Sequence, residues 1–187
     1  NGIFAIALWD RRNQSLLVAR DAQGIKPFYY SALPGRIIFA SEIKALIHLM
    51  PEMRELNITA LECYLTFLWC PGEGTPLKAV RKLLPGEAMI LRNGEVERRW
   101  AWYQLPVFHK PVIDQNEQAA VSGIQNHLRT AVQRQMVADV PVGAFLSGGL
   151  DSSAVVAFAR EKNPDLHCFT IDSVGGQEGG VTDDLPY

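Results

Sequence analysis

Between Tyr103 and Asp114 the hydrophobic period of this 187-residue chain changes, and that change limits it to two unlike parts. The stretch "YQLPVFHKPVID" carries Pro106 and Pro111 and has no period of its own, so it reads as a linker. Before it, short apolar runs alternate with tight turns, the pattern of antiparallel sheet. After it, helix, strand, helix and strand follow one another, the rhythm of a parallel α/β sheet. The expected organisation is a first part over residues 1–103, a linker over 104–113 and a second part over 114–187.

In the first part, Ile3, Ala5, Ala7 and Trp9 alternate with Phe4, Ile6 and Leu8. A run apolar on both faces predicts a strand buried on both sides. With Ser15–Arg20 it makes a hairpin around the polar turn "DRRNQS". "DAQGIKP" is a loop broken by Gly24 and Pro27, and "FYYSA" and "RIIFA" flank Leu33-Pro34-Gly35 as a second hairpin. "SEIKALIHLM" predicts a short helix capped by Ser41 and stopped by Pro51. Thr59 and Glu62 have the spacing of a capping box and open another helix. Ala88–Leu91 and Glu95–Arg99 pair around Asn93-Gly94, residue types that accept the positive φ of a tight turn.

The second part opens with Asp114-Gln115-Asn116-Glu117 capping a long helix, whose apolar stripe runs Val121, Ile124, Leu128, Ala131 or Val132, and Met136. A strand over Val140–Leu146 leads into Ser147-Gly148-Gly149-Leu150-Asp151-Ser152-Ser153. A helix follows from about Ser152 to Lys162, with Val155, Phe158 and Ala159 inward, and Asn163-Pro164 ends it before the strand "LHCFTID". A turn from a parallel strand into a helix is where such sheets bind anions, because free N–H groups and the helix dipole face the ligand. Two glycines allow close backbone approach to phosphate oxygens, and Ser147, Ser152 and Ser153 add hydroxyl donors. Asp151 would repel a phosphate unless a Mg²⁺ lies between them, an ion that favours carboxylate and phosphate oxygens together. The run lacks the lysine of a GxxxxGK[ST] loop, and Gly143 lies too far back for a GxSxG elbow.

Composition removes several alternatives. A net charge of −2 gives no reason to expect nucleic acid or an anionic membrane, and no apolar run reaches bilayer length. No secretory or transit signal is visible, so a cytoplasmic location is the default. Cys63, Cys70 and Cys168 form no CxxC pair and read as reduced structural thiols; His48, His109, His127 and His167 are too scattered for a metal site. Arg20, Asp21 and Lys26 read as a structural loop clamped by an Arg–Asp pair, and Trp9, Trp69, Trp100 and Trp102 as core or interface packing. Asp183 and Asp184 read as a solvated loop or helix start. Asn1 is no initiator and "GGQEGGVTDDLPY" closes no element, so the chain is expected to be an internal fragment.

The run Ser147–Ser152 resembles the SGGxDS pyrophosphate loop of ATP pyrophosphatases. "NGIFAIALWD", "LLVARDAQGIKPFYY" and "FASEIKALI" resemble the later part of a class II glutamine amidotransferase domain. "LLPGEAMIL", "RRW" and "VPVGAFLSGGLDSS" complete a resemblance, over nearly all 187 residues, to the glutamine-hydrolysing asparagine synthetase family. That resemblance implies an α+β first part with partial Ntn-hydrolase-type antiparallel sheets, then the start of a Rossmann-like PP-loop domain of the adenine nucleotide α-hydrolase type. It implies a carbon–nitrogen ligase of asparagine biosynthesis using ATP, Mg²⁺, aspartate and glutamine, and it leaves a homodimer open. Carried over by position, Ser147, Gly148, Gly149, Ser152 and Ser153 would hold pyrophosphate, Asp151 would ligate Mg²⁺, and Leu146 and Ile171 would line the adenosine pocket. The family's N-terminal catalytic cysteine has no counterpart, since residue 1 is Asn and neither Cys63 nor Cys70 can replace it, so the chain by itself is expected to carry neither half-reaction. A β-lactam-forming or other amidating synthetase shares the same loop, and a non-catalytic scaffold keeping the fold is the remaining alternative.

Overall fold

A computed structural model describes residues 2–50, 53–106 and 116–170. The chain is mixed α/β, with antiparallel sheets and one short parallel pair, and it divides between residues 109 and 110 into two compact units.

In the first unit, β1 (Ala5–Asp10), β2 (Ser15–Arg20), β6 (Glu87–Arg92) and β7 (Glu95–Ala101) form one antiparallel sheet in the order β1-β2-β6-β7. A second sheet has the order β4-β3-β5, from β3 (Tyr29–Leu33), β4 (Arg36–Ala40) and the short β5 (Arg81–Lys82). Alternation along the strands decides what lies between them. Val18, Met89 and Leu91 from the first sheet meet Tyr30 and Ile37 from the second, with Phe28 and Leu83, in one core. The opposite face of the second sheet, with Tyr29, Ile38 and Ala40, packs on Leu46 of α1 (Ile43–Leu49), together with Leu77 and Val80. The second sheet is therefore the middle layer. The β6–β7 turn is as expected: Asn93 (φ 52°) and Gly94 (φ 78°) are both left-handed, and a Cβ on Gly94 would overlap the Gly35 carbonyl of the neighbouring hairpin turn.

Several expectations are corrected here. β1 is not buried on both faces: it is the edge of its sheet, and Ile6, Leu8 and Trp9 are exposed. Burial of an apolar strand depends on neighbours that its own sequence does not specify. Trp69 and Trp102 are likewise exposed, Trp102 stacking on Phe4 at 5.9 Å. Glu42, not Ser41, occupies the N-cap of α1, and no side chain caps it. α2 (Ile58–Phe67) already includes Thr59, so Thr59 is not its cap; Asn57 takes that role, its side chain accepting the Ala60 amide at 3.2 Å. Pro51 lies outside the described residues.

The second unit has α3 (Glu117–Gln135), β8 (Gly143–Phe145), α4 (Leu150–Arg160) and β9 (His167–Phe169). Asn116 caps α3 by accepting the Gln118 amide at 2.9 Å; Asp114, Gln115 and most of the expected linker lie outside the described residues. β8 and β9 pair in parallel through α4, and the core gathers Val132, Val156, Ala159 and Leu166, with Leu128, Met136 and Phe158 against them. The inward residue of α4 is thus Val156 rather than Val155, and the α3 stripe buries only its C-terminal half, Val121 and Ile124 being exposed. Arg129 on α3 reaches Glu161 at the end of α4 at 2.9 Å. The β8–α4 junction, where the serine- and glycine-rich run sits, is held from below by this packing.

Candidate functional site

β8 is short, but its parallel ladder continues one step further, the Leu146 amide donating to the Phe169 carbonyl at 2.8 Å. Leu146 itself is half-buried and packs against the core of the unit. The chain then leaves the sheet. Gly148 takes φ +80°, a conformation that costs an L-residue strain and glycine none. Gly149, extended at φ −71°, ψ 160°, is the N-cap of α4 and has no side chain with which to cap it. Among the described residues the backbone amides of residues 148–152 therefore meet no protein acceptor, and the first helical bond, Ser153 N–H to the Gly149 carbonyl at 3.1 Å, closes only beyond them.

Ser152 is half-buried and points back under this loop. Its hydroxyl donates to the Gly149 carbonyl at 3.1 Å, accepts the Ser147 amide at 3.3 Å and lies 3.1 Å from the Ser147 hydroxyl. A hydroxyl has one proton, and that of Ser152 is spent within the loop whether it goes to the Gly149 carbonyl or to the Ser147 hydroxyl. The expectation that Ser147, Ser152 and Ser153 all add hydroxyl donors is therefore refined: the Ser147 and Ser152 hydroxyls contact each other, and the Ser147 amide is engaged within the loop as well. Asp151, in the first turn of α4, is exposed and has no Lys or Arg partner among the described residues. Of the residues singled out in the sequence, the structure brings Ser147, Gly148, Gly149, Asp151, Ser152 and Ser153 onto one loop and helix start. Ile171, Asp183 and Asp184 lie outside the described residues.

In the first unit the Arg20–Lys26 loop is structural, but not through an Arg–Asp pair. Asp21, 1% exposed, accepts the amides of Gln23, Ile25 and Lys26 at 3.2, 2.9 and 3.0 Å. Burial opposes its charge, yet these amides outweigh burial and hold the carboxyl below the usual aspartate range. Arg20 instead donates to three carbonyls, of Lys26, Leu83 and Gly24. A charged cluster that the sequence did not signal lies nearby on β7: Arg99 bridges Glu73 and Glu87 and reaches the Tyr30 hydroxyl. The hydrogen bond from Arg99 leads the influences that lower the Glu73 pKa. Only the third dimension joins these four residues, which are separated by up to 69 positions. An open pocket of about 500 Å³ is lined by Ile3, Phe4, Ala5, Lys26, Pro27 and Ser41. Among the described residues no three His, Cys, Asp or Glu side chains converge as metal ligands, and no helix is long and apolar enough to cross a membrane.

Residues 1–103 match the glutamine amidotransferase domain family, and residues 123–187 match asparagine synthase. The chain belongs to the glutamine amidotransferase family. It is 36% identical over 183 residues to asparagine synthetase [glutamine-hydrolyzing] 1 of Bacillus subtilis, covering 97% of this chain and 28% of that protein. It is 35% identical to the putative asparagine synthetase [glutamine-hydrolyzing] 2 of Methanocaldococcus jannaschii, covering 100% of this chain and 36% of the relative. A further relative is the amidase chyE of Penicillium rubens, 36% identical, covering 96% of this chain and 29% of that protein. The chain thus spans 28%, 36% and 29% of the length of these three curated relatives.

Proposed function

We propose that this chain is part of a glutamine-dependent asparagine synthetase, with the Ser147–Ser153 loop as its pyrophosphate site. In this reading residues 1–103 belong to an Ntn-type amidotransferase domain that releases ammonia from glutamine. Residues 114–187 begin a Rossmann-like PP-loop domain, where ATP and aspartate give β-aspartyl-AMP and pyrophosphate, and ammonia then yields asparagine and AMP. The observation that carries the reading is the row of amides from Gly148 to Ser152 that meet no acceptor among the described residues, at the N-terminus of α4 and inside the segment matching asparagine synthase. Those N–H groups, with the positive end of the helix dipole, complement the charge that grows on a departing pyrophosphate. Ser152 would contribute through its amide and Ser153 through its hydroxyl, and Ser147 through its hydroxyl when the proton between the two serines comes from Ser152. Leu146 and Ile171 would bound the adenosine side.

Mg²⁺ fits the donor set. An exposed carboxylate free of any cation partner among the described residues, beside amides suited to phosphate, is the combination in which that ion uses one protein oxygen plus phosphate oxygens and water. Asp151 would hold it, and its charge would neutralise the phosphates against which Asp151 alone would act repulsively. The protein's own share is positional: Gly148 turns the backbone, Gly149 opens the helix end, and α4 fixes both.

The test is ATP–pyrophosphate exchange by the full-length protein. Asp151→Ala is expected to lower exchange at least about a hundredfold, the scale of losing a preorganised charge-stabilising group, while glutamine hydrolysis stays measurable. Exchange at the wild-type rate would remove Asp151 from this role. A second reading keeps the same loop in a related amidating synthetase that activates a different carboxylate. AMP release dependent on aspartate supports the first reading; release that ignores aspartate and responds to a different acid supports the second.

A further inference from the structure

α2 ends in a chain reversal that carries one cysteine back over the turn from which another projects. Leu68 is left-handed at φ 60°, and its amide donates to the Tyr64 carbonyl at 2.8 Å. Beyond it the chain returns along the helix: the Cys70 thiol donates to the Ala60 carbonyl at 3.4 Å, and a Cβ on Gly74 would lie 3.9 Å from that of Ala60. Cys63 follows Ala60 by three residues, the spacing of one helix face, and a helical side chain leans back over the turn before its own Cα. The Cys70 sulfur and the Cys63 side chain therefore share one turn of α2. Both thiols are free and half-buried, so neither is sealed from a small oxidant. Lys82 on β5 anchors the returning chain, its ammonium donating to the Cys70 carbonyl and its amide to the Glu73 carbonyl. The bond from the Cys70 thiol to Ala60 is weak, and turning the side chain gives it up. We propose that Cys63 and Cys70 are a dithiol pair that hydrogen peroxide closes into a disulfide fitting the native loop. One thiolate attacks the peroxide, the O–O bond breaks, and a sulfenic acid and hydroxide result. The second thiol attacks that sulfur; the S–S bond forms, and the sulfenic hydroxyl leaves as water with the second thiol's proton. Two electrons pass from the sulfurs to the peroxide, which ends as two waters. The bond fastens to α2 the loop that carries Glu73, and with it the Glu73 pairs to Arg81 and Arg99.

The experiment is thiol mapping of the full-length protein after exposure to hydrogen peroxide. No Lys or Arg lies between the two cysteines, so trypsin releases both in the peptide 55–78. After oxidation that peptide is expected to take up no iodoacetamide, and to take up two equivalents once dithiothreitol is added. Chymotrypsin cuts between the cysteines, at Tyr64, Phe67 or Trp69, and its two fragments are expected to stay joined until reduction. A peptide in which one cysteine is lost while the other still alkylates overturns the proposal. So does linkage of either cysteine to Cys168, which is exposed in the second unit, or to a second molecule. Cys63→Ser is expected to halt Cys70 at the sulfenic acid, which dimedone captures, whereas the wild type yields little adduct; equal capture in the two overturns the pairing. If that variant does not fold, the mapping of the wild type decides alone. A bond that fits the native loop also restricts the unfolded chain, and closing a loop this short raises the ratio of folded to unfolded protein by up to about fiftyfold. The denaturation midpoint of the first unit is therefore expected to rise on oxidation and to return on reduction. A midpoint that does not rise shows a bond forced on the loop, and overturns the proposal.

Discussion

The loops Asp21–Lys26 and Ser147–Ser152 are similar in composition, each a short strand exit with glycine and one aspartate, yet their polar groups are settled in opposite ways. Asp21 is buried and takes three backbone amides of its own loop, while Arg20 takes three carbonyls around it. Asp151 is exposed and takes none among the described residues, and the amides beside it meet no acceptor there. The first loop is closed on itself and serves the fold. The second satisfies only its own turn, through Ser152, and keeps its outer donors for something else. What separates a structural loop from a binding loop is therefore not the presence of an acid and glycines but whether the protein has already used their hydrogen bonds.

The sharpest way to break this contrast is to make the same substitution in both loops. Asp21→Asn keeps the shape but removes the charge and turns one acceptor into a donor facing backbone amides. It is expected to destabilise the first unit by about 3 kcal/mol, on the scale of losing charge-assisted hydrogen bonds at a buried group. Asp151→Asn is expected to stay within about 0.5 kcal/mol, as for a surface change away from any such network. Chemical denaturation followed by tryptophan fluorescence reads the first substitution cleanly, because all four tryptophans lie at or before residue 102. The second is read by far-ultraviolet circular dichroism. Equal effects at the two positions would dissolve the distinction.

The two loops also differ in how much of them the sequence revealed. The strand–turn–helix placement of Ser147–Ser153 was legible, because glycine at positive φ and an apolar strand before it are local signals. So was the Asn93-Gly94 hairpin. What escaped was fixed by backbone partners along the loop, by neighbours distant in the chain, or by a shift of one or two residues at a helix end. The clamp on Asp21 was read as an ion pair with its neighbour, whereas its partners are amides two to five residues on. The caps moved from Ser41 to Glu42 and from Thr59 to Asn57, within the ambiguity of helix ends. β1 was expected to be covered, but an apolar strand carries no record of whether a neighbour lies beyond it. At the candidate site, residue types did not tell which donors are free, since that depends on where one serine rotamer points.

A smaller effect follows from acid. The Asp21 carboxyl titrates below its ordinary value because amides outweigh burial in favouring the charged form. A depressed folded pKa contributes stability that is complete above the unfolded value, near 4, and is lost as pH falls through the folded value. The first unit should therefore hold its denaturation midpoint above about pH 5 and weaken progressively below about pH 4. Asp10 and Glu73 titrate low as well, led by hydrogen bonds from Asn13 and Arg99 respectively, so part of the acid loss belongs to them. The Asp21 share is the difference between wild type and Asp21→Asn, whose midpoints should converge as the pH is lowered. A gap that stays constant down to about pH 2, well below the ordinary aspartate range, would show that the charge of Asp21 is not what its loop depends on.

The smallest predicted effect concerns a third way of settling a polar group. The Ser31 hydroxyl on β3 is 1% exposed and has no hydrogen-bond partner among the described residues. The open amides of residues 148–152 can bond to water, and so carry little penalty while they wait; the Ser31 hydroxyl, sealed in the middle sheet, has no such recourse. Its neighbour across the ladder is Ile38, in an apolar surrounding that would suit a methyl group. Ser31→Ala removes the unpaired oxygen at the expense of a very small void. It is expected to leave the stability of the first unit unchanged or raise it by up to about 1 kcal/mol. A loss greater than about 1 kcal/mol, the worth of an ordinary hydrogen bond, would mean that the hydroxyl is bonded after all, and then it would be settled within the fold as the groups around Asp21 are.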